Sequence, residues 1–158
     1  MKKRSPQLAL RLDAEAPDTA ARWRDGQGLP YLGGMVTLRL DTRGKEAVLE
    51  GGELHLPLPP EATPRQVQDA AESWLRARAL RVVSAQAVMA ARELGRPVPA
   101  MALSFATRAG WLQADGKGGL RCHWRLVEQS QDVIAQVVAQ AVASLPRAEA
   151  SLDLFALA

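Results

Sequence analysis

Leu120-Arg121-Cys122-His123-Trp124-Arg125-Leu126-Val127, followed by Asp132-Val133-Ile134 and Val137-Val138, is the stretch on which the reading of the fold turns. Leu120, Cys122, Trp124 and Leu126 alternate with charged or polar residues, which predicts a strand over 120–127 with those four on one face. From Asp132 to Leu145 the texture changes. Val133, Ile134, Val137, Val138, Ala141 and Val142 with few polar neighbours predict a buried helix, and Pro146 stops it.

Working toward the N-terminus, Gly116 to Gly119 reads as a tight turn and Met101 to Phe105 as a strand. Before them lies the longest helix. Thr63 supplies an N-cap, Pro64 the first helical position and Gln66 the far side of a capping box. Val67, Ala70, Ala71, Trp74, Leu75, Leu80, Val83, Val88, Ala91 and Leu94 form its apolar stripe, and Gly95 with Pro97 ends it. Arg76, Arg78, Arg81 and Arg92 fall on several sides and read as solvated charge.

The front of the chain is written in hairpins. Met35 to Leu40 alternates after Leu29-Pro30-Tyr31-Leu32 and Gly33-Gly34, and Ala47-Val48-Leu49 is joined to Leu54-His55-Leu56 through Glu50-Gly51-Gly52-Glu53. The expectation is an α+β fold: a small antiparallel sheet of hairpins with a long helix, then a second sheet and a buried helix. Residues 1–27 mix charge, alanine, Pro17 and glycine without a sustained period and read as a flexible arm ahead of a single domain over 28–158. Leu8, Leu10 and Leu12 alternate within that arm, a pattern able to add a strand to a sheet edge. At the other end Leu152, Leu154, Phe155 and Leu157 are available to dock on the core.

Composition narrows the function. The 158 residues are 47% hydrophobic and 23% charged, enough to build a core and incompatible with global disorder. One cysteine, Cys122, excludes an internal disulfide or a cysteine zinc knuckle. A net charge of +3 is too mild to define a nucleic-acid binder by itself. Met1-Lys2-Lys3-Arg4 begins like a signal peptide, but Pro6, Gln7, Arg11 and Asp13 interrupt the sequel, and no apolar run approaches membrane-spanning length. A cytoplasmic protein with no membrane partner is expected.

The strand at Trp111, the 120–127 segment and the helix after Asp132 together resemble the YgjP-like zinc metallopeptidase family, relatives of the minigluzincins and SprT-like proteins. Leu29-Pro30-Tyr31-Leu32-Gly33-Gly34, Gly51-Gly52-Glu53-Leu54, Leu56-Pro57-Leu58-Pro59-Pro60 and Trp74-Leu75 extend the likeness over roughly residues 28 to 155. The resemblance implies a zincin-like sheet and a helix bearing His-Glu-x-x-His, with a third histidine further on. In that motif two imidazoles one helical turn apart bind zinc, and the glutamate acts as general base on the metal-bound water.

Carried over residue by residue, the first histidine falls on Gln140, the glutamate on Ala141, the second histidine on Ser144 and the third on Ala150. None of these side chains can do the work. The neighbours Val137, Val138, Ala139, Ala143, Leu145 and Ser151 keep the family's pattern, so the register stands. The turn that the family writes Trp-Gly-Ser-Cys reads Trp111-Leu112-Gln113-Ala114, and the family's asparagine before Trp124 is His123.

The sequence therefore predicts no metal and no zinc cofactor, and no catalytic residue. Trp111, His123, Gln140 and Ser144 are the candidates to frame a vestigial binding groove. Trp74 and Trp124 read as core, while Arg108, Arg121 and Arg125 are candidates for a basic patch. The expected function is a catalytically inactive metallopeptidase-like domain that binds a protein or peptide or serves a regulatory role. Two alternatives stay open: an active hydrolase with a rebuilt or intersubunit site, and a basic nucleic-acid-associated domain.

Overall fold

A computed structural model of the protein describes residues 22–104 and 110–146. The elements run β1 (Gly28–Tyr31), β2 (Gly34–Leu40), β3 (Val48–Glu50), β4 (Glu53–Leu56), α1 (Pro64–Leu94), β5 (Met101–Ser104), β6 (Leu112–Ala114), β7 (Leu120–His123), a 3-10 helix over Trp124–Glu128, and α2 (Gln131–Ser144). The class is α+β. Packing divides the described residues into two compact units, one made of residues 22–30 and 35–74, the other of 31–34, 75–104 and 110–146. Leu8, Leu10 and Leu12, Phe105 and Arg108, Ala150 and the apolar tail residues lie outside the described residues.

The first unit is a four-stranded sheet in the order β1-β2-β4-β3. β3 and β4 pair antiparallel across Gly51-Gly52, as the hairpin pattern predicts. β2 and β4 pair in parallel, with Thr37 opposite Glu53 and Leu40 opposite Leu56, so the front sheet is mixed rather than antiparallel. Residues 41–47 carry the chain to the outer edge, and β4 returns between β2 and β3. Alternation reports which side chains face the core, not which strands become neighbours.

Val36, Leu38, Leu54 and Leu56 are the buried side of this sheet. The fold also begins earlier than residue 28. Trp23 is buried, the Gly26 N–H donates to the Leu38 carbonyl, the Leu38 N–H to the Gln27 carbonyl, and the Leu40 N–H to Asp25 Oδ1. An indole of this size has to be covered, and covering it recruits the residues around it.

α1 begins as its sequence predicts. The Thr63 N–H donates to Gln66 Oε1 and the Gln66 N–H to Thr63 Oγ1, a closed capping box. It ends in a Schellman arrangement: the Arg96 N–H donates to the Ala91 carbonyl, the Gly95 N–H to the Arg92 carbonyl, and Gly95 takes a φ of 64°. Between these ends the buried positions are Val67, Ala71, Leu75, Ala79, Val83, Ala87 and Ala91, a line spaced by four, with Ala90 added beside its last member. Four residues overshoot a helical turn by about 40°, so this line winds by roughly 240° around the helix over its length. No single side of α1 is apolar throughout, and Leu94, expected on the stripe, is exposed.

In the second unit β7 lies between β5, its parallel partner, and β6, its antiparallel partner. Val83, Ala87 and Ala91 of α1, Leu120 and Cys122 of β7, Leu126 of the 3-10 helix, and Ile134, Val138 and Val142 of α2 form one core. Both helices therefore pack on the sheet face that carries Leu120 and Cys122. α2 is capped by Ser130, whose Oγ accepts from the Val133 N–H. Its far end is held by Arg96, whose Nη1 donates to the Val142 and Leu145 carbonyls at 3.2 and 2.5 Å.

Two expectations are corrected here. The strand predicted over 120–127 stops at His123, because His123 Nδ1 accepts from the Arg125 N–H and starts a 3-10 turn. Leu126 and Val127 are then both buried, which a strand with one covered face does not allow. α2 is not buried all round. Ile134, Val138 and Val142 are its covered line, while Val133 is exposed.

The turn between β1 and β2 belongs to this second unit. Leu32 and Gly33 both take positive φ, 48° and 80°, the backbone of a type I′ turn. The Leu32 N–H donates to the Val127 carbonyl and the Gly33 N–H to the Glu128 carbonyl, at 2.8 and 3.0 Å. Leu32 also packs its side chain on the core, which holds a non-glycine residue in a conformation that otherwise costs about 1–2 kcal/mol.

Candidate functional site

α2 carries three of the four positions at which the sequence predicts a vestigial motif. Gln140 and Ser144 lie on its exposed side, and Ala141 is partly buried against the core. Gln140 and Ser144 are one turn apart, but the Ser144 hydroxyl donates at 2.8 Å to the Ala141 carbonyl of its own helix. At the positions where the resemblance places two histidines and a glutamate, the side chains are an amide, a hydroxyl and a methyl.

Trp111 and His123 come together elsewhere. The His123 N–H donates to the Trp111 carbonyl at 2.8 Å, which continues the β6–β7 ladder by one pair. Their rings meet edge to face, with centroids 6.4 Å apart, and the His123 imidazole stacks on Trp124 at 6.2 Å. Guanidinium groups of Arg76 and Arg125 lie over the Trp124 ring at 5.9 and 5.7 Å. Trp124 itself is buried, as expected of a core aromatic, whereas 40% of Trp111 is exposed.

The period of a strand separates these candidates. Leu120 and Cys122 face the helices, so Arg121 and His123 face the other way. Trp111 and His123 therefore occupy the side of the sheet opposite to α2, and Gln140 and Ser144 lie on the solvent side of α2 itself. The four do not frame one groove. Sequence reasoning missed the part of Arg76, whose position on α1 reads as a solvated charge; no signal in the helix repeat announces a partner 48 residues away.

The electrostatics follow from these positions. Burial holds the His123 pKa below its ordinary value, and the Arg125 guanidinium lowers it further, with Glu128 acting in the opposite sense. The neutral ring can then accept the Arg125 N–H at Nδ1. Cys122 is fully buried, and that burial alone pushes its thiol up to about 12, the setting of an unreactive core side chain.

His55, the other histidine, belongs to the first unit. It sits between Asp41 and Glu53, with Nδ1 and Nε2 each 3.6 Å from a carboxylate oxygen. Together with Arg43, Glu46, Val48 and Glu50, Asp41 and His55 border an open pocket of about 390 Å³. Bonds from the Arg43 side chain and backbone hold the Asp41 carboxyl at about 2. Among the described residues no three His, Cys, Asp or Glu side chains gather as ligands for a metal ion.

A small mixed sheet with two helices on one face, the second helix bearing the motif positions, defines a zincin-like α+β domain. The chain belongs to the YgjP-like metallopeptidase family, whose metallopeptidase domain model matches residues 6–139. That match ends at Ala139, one residue before Gln140. No curated protein and no solved structure matches the chain. The zinc that the family implies does not fit the residues present in α2, because none of Gln140, Ala141 and Ser144 offers a zinc donor or a general base. No helix among the described residues is long and apolar enough to cross a membrane.

Proposed function

We propose that this protein is a metallopeptidase-like domain that has given up peptide hydrolysis and persists as a module that binds a protein or peptide or serves a regulatory role. One observation carries the reading: Gln140, Ala141 and Ser144 replace the metal ligands and base on a helix whose caps, core line and C-terminal anchor are intact. The scaffold is specified and the chemistry is not. Hydrolysis at neutral pH needs an activated water, and activation needs a metal or a general base within hydrogen-bond reach.

His123 cannot replace the lost base on α2, since it points from the opposite side of the sheet and its Nδ1 accepts from the Arg125 N–H. Ser144 cannot act as an activated nucleophile, because its hydroxyl proton goes to the Ala141 carbonyl and no base orients it. The cytoplasm fits the reduced single cysteine.

The test is restoration. Purified protein incubated with zinc and an unfolded protein substrate is expected to show no cleavage above a no-protein control. The triple variant Gln140→His, Ala141→Glu, Ser144→His should gain zinc binding through two imidazoles one turn apart on an exposed helix side. Zinc-dependent cleavage by the unaltered chain would overturn the reading and point to ligands supplied by a second subunit.

A further inference from the structure

We propose that residues 8–12 of this chain occupy the free edge of β3, adding a strand to the β1-β2-β4-β3 sheet with Leu8, Leu10 and Leu12 on its apolar face and Arg11 on its acidic one. The inference stays within the first unit and is independent of what the motif helix does.

The sheet has two edges, β1 and β3, and they are not equivalent. Pro30 stands in β1 without an N–H to offer, which blunts that edge. β3 is made of Val48, Leu49 and Glu50 and has no proline. Gly51 and Gly52 take φ of 55° and 80° in the two-residue turn to β4, so Glu50 and Glu53 are the hydrogen-bonded pair that closes the hairpin. Bonded and non-bonded pairs alternate along the strands, and the Leu49 N–H and C=O therefore point outward, away from β4.

The two faces of the sheet ask for different side chains. Leu49 lies opposite Leu54 on the side that buries Leu38 and Leu56, yet at the edge it is only half-buried. Val48 and Glu50 lie on the other side with His55, around the open pocket that Asp41 and Arg43 also line. In residues 8–12 three leucines alternate with Ala9 and Arg11. A strand beside β3 that turns its leucines toward the core side must turn Arg11 toward Glu50 and the pocket. One period satisfies both faces.

Charge selects the occupant. Residues 41–56 carry Asp41, Glu46, Glu50 and Glu53 against Arg43 and Lys45. Asp41 is taken by Arg43 and Glu53 by Arg39, while Glu46 and Glu50 have no ion-pair partner among the described residues. Residues 1–12 hold Lys2, Lys3, Arg4 and Arg11 and no acid. The segment after Pro146, with Glu149 and Asp153 against Arg147, has the wrong sign.

The distance can be spanned. The described chain enters beside β2, where the Leu40 N–H donates to Asp25 Oδ1. β3 starts at that same end of the sheet, since it runs antiparallel to β4, and β4 runs parallel to β2. A strand beyond β3 lies about 14 Å from β2, and the ten steps from Leu12 to Arg22 reach up to about 33 Å. The match to the family model begins at residue 6, so residues 8–12 fall within the shared domain.

Hydrogen exchange of the full chain, read at single amides by NMR, tests the proposal. Alternate amides within 8–12 and the Leu49 amide are expected to exchange at least about tenfold slower than in an unstructured chain. Leu10→Asp puts a carboxylate on the core side and Arg11→Glu puts one against Glu50, and each should release both sets. The Leu38 amide, which donates to the Gln27 carbonyl, should stay protected in both variants and reports that the unit is folded.

Free exchange at 8–12 in the unaltered chain overturns the proposal. Protection at 8–12 with Leu49 left open overturns it too, by placing the strand elsewhere, as does exchange unchanged in either variant. Protection lost on dilution, with a dimer seen by sedimentation, replaces it with pairing to a second copy.

Discussion

Gly33 and Ser130 approach so closely that a Cβ placed on Gly33 would stand 2.9 Å from the Ser130 Cα. Gly33 holds a φ of 80° in the β1–β2 turn, and Ser130 is the N-cap of α2. The hairpin tip therefore rests against the start of the helix that bears the motif positions. Gly33→Ala meets both a backbone clash and a disfavoured φ, and the expected loss is about 2–4 kcal/mol in a urea melt. Gly34→Ala, where the nearest atom to an added Cβ is 3.8 Å away, is the matched control and should cost far less.

His123 couples stability to pH. Its folded pKa lies below the ordinary 6.5, so below that value the unfolded chain binds more protons than the folded one. The contribution is fully present above 6.5 and is lost as pH falls through the depressed folded value. The difference in urea midpoint between pH 7.5 and pH 5 should be smaller in His123→Asn, whose side-chain oxygen can still accept the Arg125 N–H. An unchanged difference would show that His123 is not linked to folding.

Cys122 is enclosed, with its thiol pKa raised to about 12 by burial. The native protein should react with a thiol-specific disulfide reagent at pH 8 only on the timescale of unfolding, and rapidly in denaturant. Fast stoichiometric reaction of the native state would contradict the packing of β7 beneath the helices.

Residues whose local chemistry forces a structure were legible in the sequence. Thr63, Pro64 and Gln66 fix the start of α1, and Gly95 fixes its end, because each satisfies or frees specific backbone groups. The hairpin at Gly51-Gly52 and the helix ended by Pro146 belong to the same kind. What depends on partners far along the chain was not legible. The β2–β4 parallel pairing, the stacking of Arg76 on Trp124 and the seat of Gly33 on Ser130 all join residues that no local period links.

The 3-10 turn at Trp124 illustrates the difference most clearly. Leu120, Cys122, Trp124 and Leu126 imitate a strand, and only the adjacent apolar Val127 and a histidine placed to cap the turn distinguish it. The candidate site divided along the same line. The expected absence of zinc ligands at Gln140, Ala141 and Ser144 rests on residue identity and the family resemblance, whereas the separation of Trp111 and His123 from them needed the sheet's two faces.

The central claim is that the motif helix has lost its metal chemistry, and zinc content tests it most directly. The protein, purified without chelators, loaded with zinc and dialysed, would be measured by elemental analysis beside His123→Ala and His55→Ala. The account predicts well under about 0.1 zinc per chain in all three, for want of a third ligand. About one zinc per chain that survives dialysis and falls in either variant would contradict it.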